Sequence, residues 1–167
     1  EWVVPRNTMS RRLQERHRRL REAEIPLAPQ RRAGAVRIAL CYPNLYFVAM
    51  SNLGFQGVYQ LFNSYPDVVC ERAFLPDDVD RDDLEASGHP LVSFDTGTEL
   101  RRFHAVAFSV AFEHDYLHVI EILRLAGIPL RAADRGPGDP LVVLGGAAMF
   151  LNPEPLAPFA DLIAVGE

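Results

Sequence analysis

The chain has no lysine, and all 17 of its basic residues are arginine. This compositional bias points to no mechanism. Cysteine is nearly as scarce: Cys41 and Cys70 stand far apart with no Cys-x-x-Cys, so no disulfide framework, metal site or iron–sulfur site can be built from this chain's thiols alone. Both lie in apolar runs and read as buried free thiols, with a redox pair as the alternative. Long apolar runs are missing too. The longest nearly uncharged stretch, residues 141–151, is about half of what a bilayer-spanning helix requires. No secretory signal pattern opens the chain, so a cytoplasmic location without a membrane partner is expected.

Several catalytic signatures are absent. Without Gly-x-Gly-x-x-Gly or a Walker sequence, nicotinamide dinucleotide binding and nucleotide hydrolysis have little support. Without Gly-x-Ser-x-Gly, and with no discernible histidine partner for either cysteine, hydrolase readings lack a nucleophile. The acidic stretch 77–83 has neither the central glycine nor the terminal glutamate of an EF-hand and reads as a solvated loop.

What is present is the composition of an ordinary globular domain, 49% hydrophobic and 23% charged, at a length that allows one proper core. The net charge of −5 is unevenly spread: residues 1–34 carry nine arginines against four glutamates, and the remainder is acidic. An acidic body repels phosphate backbones, so nucleic acid is not expected as a partner, and the basic arm reads as a solvated helix. The chain opens without methionine and stops at Gly166-Glu167, which reads as a fragment of a longer protein, although Met9 could be a start.

The pattern divides the chain into a basic helical arm and linker (1–34) and an α/β domain (35–167). Ser10 can cap a helix over 11–23, closed by Pro26 and Pro29, and the arm is expected to be separate from the core. Residues 36–42 are β-like, 52–63 helical and 68–74 β-like again, which makes one βαβ unit. A weak helix near 81–87 precedes an ill-defined segment, 91–103, with one extra strand and a helical turn. Residues 105–110 form an apolar strand. Residues 115–126 follow as an amphipathic helix with Tyr116, Val119, Ile120, Leu123 and Ala126 on one stripe. Strands at 141–144 and 161–165, with a short helix at 154–160 between them, bring the total to five. Their continuous apolar character predicts a doubly wound, mostly parallel sheet covered on both faces.

In open parallel sheets ligands bind beyond the carboxyl ends of the strands, where the strand order reverses. Three segments converge there: 43–52, 109–114 and 145–150. Gly145-Gly146, directly after an apolar strand, lets the backbone lie close to a ligand or a neighbouring element before a Pro-punctuated turn. The first segment is a long apolar loop ending in two helix caps, Ser51 and Asn52, and offers backbone donors to an amide-rich or phosphate-bearing ligand. His114 and His118 superficially resemble the zinc-protease spacing. On a helical wheel they fall opposite the apolar stripe, so an exposed polar face is expected, with a surface metal site as the alternative.

Three blocks carry a family resemblance: residues 39–56 (ALCYPNLYFVAMSNLGFQ), 107–116 (AFSVAFEHDY), and LGG at 144–146 with NPEPL at 152–156 and AVGE at 164–167. In this order and spacing they resemble the N-terminal region of cobalamin-binding-domain radical SAM proteins, over roughly residues 36–167. The resemblance implies a Rossmann-like fold with flavodoxin-like strand order 2-1-3-4-5. It also implies a following radical SAM barrel of the same polypeptide, which would hold a 4Fe-4S cluster and S-adenosylmethionine. The Cys-x-x-x-Cys-x-x-Cys cluster motif is absent here, so this chain alone is not expected to be catalytic.

Ser109, Gly145 and Gly146 correspond to the family's nucleotide-tail pocket, and residues 42–52 would line the corrin side, with Pro43, Asn44, Tyr46, Met50, Ser51 and Asn52 as contacts. Cobalamin-binding domains whose histidine replaces the nucleotide base as the lower axial ligand carry Asp-x-His-x-x-Gly after the first strand, but residues 43–54 contain no histidine. The implied cobalamin would therefore have no His axial ligand, its lower face open or apolar toward Tyr46, Phe47 or Met50. A degenerate site that has lost the cofactor is the other outcome. The competing reading is a non-catalytic docking module that braces the barrel or recruits a substrate protein. The residues leave the parent's substrate and the oligomeric state undetermined.

Overall fold

The computed structural model describes residues 11–25 and 33–166. The expected Ser10 cap and the prolines of the linker lie outside them. Five strands, β1 (Val36–Tyr42), β2 (Val68–Phe74), β3 (Ala105–Ser109), β4 (Leu141–Gly145) and β5 (Leu162–Ile163), form one all-parallel sheet in the order β2-β1-β3-β4-β5. This is the Rossmann-like, flavodoxin-like α/β fold expected from the sequence. The strands are largely apolar because their residues pack alternately into two cores, with Arg37, Glu71 and Arg72 as charged exceptions. Ala39, Cys41, Val106, Phe108, Val142 and Leu144 face one, and Leu40, Tyr42, Cys70 and Ala107 the other. Cys41 and Cys70 thus lie on opposite faces, and burial pushes both thiols far up, which disposes of the redox pair.

The helices are α1 (Arg11–Ala23), α2 (Tyr46–Met50), α3 (Leu53–Ser64), α4 (Asp78–Ser87), α5 (Tyr116–Leu125) and α6 (Ala147–Leu151). Right-handed crossovers decide which face each one covers. The steps β2→β3, β3→β4 and β4→β5 run in one direction across the sheet and place α4, α5 and α6 on the first core. The step β1→β2 runs the opposite way and places α2 and α3 on the second, over β2 and β1. Full cover on both faces, expected from the apolar strands, is therefore not found: on the α3 side the half-sheet of β3, β4 and β5 carries no helix among the described residues. Leu141 and Leu162 accordingly remain 60% and 59% exposed.

Three local differences from the sequence reading have physical causes. The apolar loop after β1 folds into α2, too short for periodicity to reveal. The turn after Gly146 opens with α6. The helix expected at 154–160 is a 3-10 helix, Glu154–Phe159, since Pro155 and Pro158 remove backbone donors. The segment 91–103 resolves into an isolated antiparallel bridge, Val92 with Glu99, and a 3-10 turn, Leu100–Arg102. Its Phe94 N–H donates to the Arg72 carbonyl at 2.7 Å, so it blunts the open edge of β2.

The basic helix α1 is docked on the body, contrary to the separate arm that its composition suggests. Leu13 is buried in the first core and Leu20 packs on the second. Arg72, 3% exposed, clasps Asp95 at 2.6 Å on one side and Glu24, just after α1, at 2.9 Å on the other, with its guanidinium over Tyr59 and Phe94. Burial opposes that charge, but the two carboxylates more than offset it and leave the guanidinium's pKa raised. Arg16 bridges Asp77 and Asp80, and the Arg21 guanidinium donates to the Phe94 carbonyl.

Candidate functional site

The bare half-sheet forms the floor of a groove of about 540 Å³ that opens at the carboxyl ends of the strands. Leu40, Ala107 and Val143 line its floor, Val58 and Phe62 of α3 one wall, and Ala164, Val165 and Gly166 the other. Small residues keep it open near the rim, where Ser109 lies beside Gly145 in the β3–β4 ladder. Size and apolar lining with few polar groups are those of a small-molecule site. The Ser109 hydroxyl has no hydrogen-bond partner among the described residues.

The two glycines have different reasons for being glycine. Gly146 sits at φ 104°, and a Cβ there would lie 2.5 Å from the Val110 carbonyl oxygen and 2.8 Å from its nitrogen. Close approach of the β3 and β4 ends requires it, independent of any ligand. A Cβ on Gly145 would meet nothing nearer than Ala164 at 3.8 Å, so the space beside it belongs to the groove.

Of the nine residues singled out by sequence, Ser109, Gly145, Gly146 and Asn52 line this groove. Asn52 is occupied structurally: its Oδ1 accepts from Phe55 N–H at 2.9 Å, capping α3, and its Nδ2 lies 3.3 Å from the Tyr42 hydroxyl. Ser51 is not a second cap; it closes α2, and its Oγ donates to the Phe47 carbonyl. Tyr46 and Met50 are turned to the α1 side. The Tyr46 hydroxyl donates to Glu24 at 2.8 Å, and burial followed by that carboxylate pushes its pKa up to about 12. The Met50 sulfur contacts Arg72 and Gln56.

Pro43 and Asn44 belong to a second polar cluster at the switch point between β1 and β3. Asn44 Nδ2 donates to Asp115 Oδ1 at 3.0 Å, and His118 Nδ1 lies 2.9 Å from the Pro43 carbonyl and 3.4 Å from the same carboxylate oxygen. Asp115 is 1% exposed, and its Oδ2 has no partner among the described residues. Burial, then the Asp115 charge, raises the pKa of Tyr42 alongside. Sequence reading missed Asp115 and treated His118 as part of an exposed face. The helix wheel assumed continuity through 114–118, whereas residues 113–115 form a 3-10 turn and α5 begins at Tyr116. His114 is exposed, stacked near Phe112. Among the described residues no group of three or more His, Cys, Asp or Glu side chains could hold a metal ion, and no helix is long and apolar enough to cross a membrane.

No curated protein and no solved structure matches the chain. One family model, described as the N-terminal region of radical SAM proteins, matches residues 54–167, the larger part of the chain and all of the groove except Leu40 and Asn52. The chain belongs to the family of radical SAM protein N-terminal domains.

Proposed function

We propose that this domain is a non-catalytic corrinoid carrier within a radical SAM protein of the cytoplasm, taking the nucleotide tail of cobalamin into the groove. The barrel expected downstream would hold the 4Fe-4S cluster and S-adenosylmethionine and perform the radical chemistry. One observation carries the reading: a half-sheet left bare by the topology, with Ser109 and Gly145 keeping its carboxyl-end mouth open. The tail would lie along β3 and β4, its polar groups within reach of the Ser109 hydroxyl. A flat, apolar ring would then rest on the strand-end rim, where Leu45, Phe47, Phe112, Leu117 and Phe150 are all at least 41% exposed. When bound, a corrin would supply cobalt chemistry, with the residues of the groove holding its tail.

The exposed Leu141 and Leu162 favour a second reading, a docking face that braces the barrel or a substrate protein. Titration of this chain with cobalamin, read in the visible spectrum, separates the two. Saturable binding that Gly145→Val weakens at least tenfold, about 1.4 kcal/mol, supports the carrier. An unchanged spectrum leaves the docking module.

A further inference from the structure

A second cavity, of about 270 Å³, lies between α1 and the body and shares no lining residue with the groove. Leu13 and Leu20 of α1 give it apolar walls together with Tyr46, Phe74, Leu84 and Phe94. The Tyr46 ring stands edge-on to Phe74 at 5.4 Å and tilted against Phe94 at 5.1 Å. The faces of such rings carry negative charge and attract a cation. The polar lining is Arg16, His17, Asp77 and Asp80. Arg16 holds Asp77 at 2.6 Å and Asp80 Oδ2 at 2.8 Å, so one guanidinium stands against two carboxylates and leaves a negative charge over. The Asp80 side chain is 8% exposed, and its Oδ1 is buried with no hydrogen-bond partner among the described residues. Burial, opposed by Arg16, raises the Asp80 pKa, the mark of a carboxylate short of positive charge. His17 Nδ1 is likewise buried and unpartnered among the described residues. Burial above all lowers the His17 pKa to about 4, so the ring is neutral and does not repel a cation.

We propose that this cavity binds a small protonated amine, its ammonium held by the spare oxygen of Asp80 and its flat apolar body lying among the rings of Tyr46, Phe74 and Phe94. A buried acceptor without a partner is costly, and a donor that also carries positive charge relieves it most. An anion has nothing to hold it there, since the one guanidinium in the lining is already engaged by both carboxylates. The Tyr46 hydroxyl is engaged as well, on Glu24, so this residue offers the guest only its ring. Clefts for drug-sized ligands begin at about 300 Å³, which makes the guest a compact one. Because α1 supplies Leu13, Arg16, His17 and Leu20 to the lining, the guest also ties α1 to the body.

Phenethylamine, propylbenzene and hydrocinnamate share one phenylethyl stem and end in an ammonium, a methyl and a carboxylate. Each is titrated against this chain at neutral pH and followed through methyl shifts in nuclear magnetic resonance. Phenethylamine should bind saturably and move the methyls of Leu13, Leu20 and Leu84, with propylbenzene about tenfold weaker and hydrocinnamate weaker still. Hydrophobicity alone would give propylbenzene the lead, so the order is diagnostic. Asp80→Asn should bring phenethylamine down to the level of propylbenzene; if that variant does not fold, the three-ligand order on the parent decides alone. Bound phenethylamine should also slow amide exchange in α1. Propylbenzene binding as well as the amine, a preference for hydrocinnamate, shifts confined to Val58 and Val143 of the groove, or no binding of any of the three would overturn the proposal. Gly145→Val, which obstructs the groove, should leave phenethylamine binding unchanged, so failure here leaves the carrier reading standing.

Discussion

Replacing Gly146 by alanine sets a methyl group 2.5 Å from the Val110 carbonyl oxygen and 2.8 Å from the Val110 nitrogen, in a backbone conformation that L side chains rarely adopt. Both obstacles are backbone atoms, and they are tied in place: Val110 N–H donates to the Gly145 carbonyl at 2.8 Å, and the Val110 carbonyl accepts from Ala148 at 3.1 Å. Neither can swing aside as a side chain could. Strain at such a φ costs about 1–3 kcal/mol and forced overpacking about as much again, so the substitution should cost about 2–6 kcal/mol. For a domain whose whole stability is about 5–15 kcal/mol, that is a large part. Gly145→Ala, one residue away, meets only Ala164 at 3.8 Å and should stay within about 1 kcal/mol. Urea unfolding of the two variants and the parent measures this directly; with a slope of about 2 kcal/mol per molar, Gly146→Ala should lower the midpoint by about 1–3 M. A Gly146→Ala midpoint within 0.3 M of the parent, on the order of the method's own scatter, or a larger loss in Gly145→Ala, would refute the division of labour between the two glycines.

Other outcomes follow from the same physics. Arg72→Leu takes the guanidinium from Asp95 and frees Glu24, so thermal unfolding should show a loss of about 3–5 kcal/mol, and trypsin should cut the arginine-rich α1 faster than in the parent. Burial, then Arg21 and Arg16, lowers the His17 pKa to about 4, so this ring stays neutral when folded and charges at about 6.5 when unfolded. Its contribution is fully present above pH 6.5 and is lost as pH falls from there toward 4, by up to about 3 kcal/mol. Urea midpoints across that window should flatten in His17→Phe, and an identical pH profile in that variant would contradict the burial argument. Gly145→Val should weaken cobalamin binding at least tenfold while leaving the urea midpoint near that of the parent, since the new atoms enter groove space.

Much of the fold was legible because buried parallel strands are largely apolar, and five such runs separated by helical patterns permit few topologies. The convergence of Ser109 with Gly145 followed from that pattern, whereas the strand order came from the family resemblance. The bare half-sheet was not legible, since strand composition is the same whether a face is covered by a helix or awaits something else. Helix α2 is a single turn and leaves no periodic trace. The docking of α1 was hidden because its few anchors, Leu13, Leu20 and the carboxylate of Glu24, are outnumbered by solvated arginines. Asp115 stands at a helix start, where acidic residues are common, and only its burial against Asn44 and His118 distinguishes it.

Cobalamin and cobinamide, which lacks the nucleotide tail, titrated side by side against this chain test the central claim most directly. If the groove holds the tail, cobalamin binds and cobinamide binds at least tenfold more weakly, with Gly145→Val erasing most of the difference. Equal affinities, or no binding of either, would contradict it.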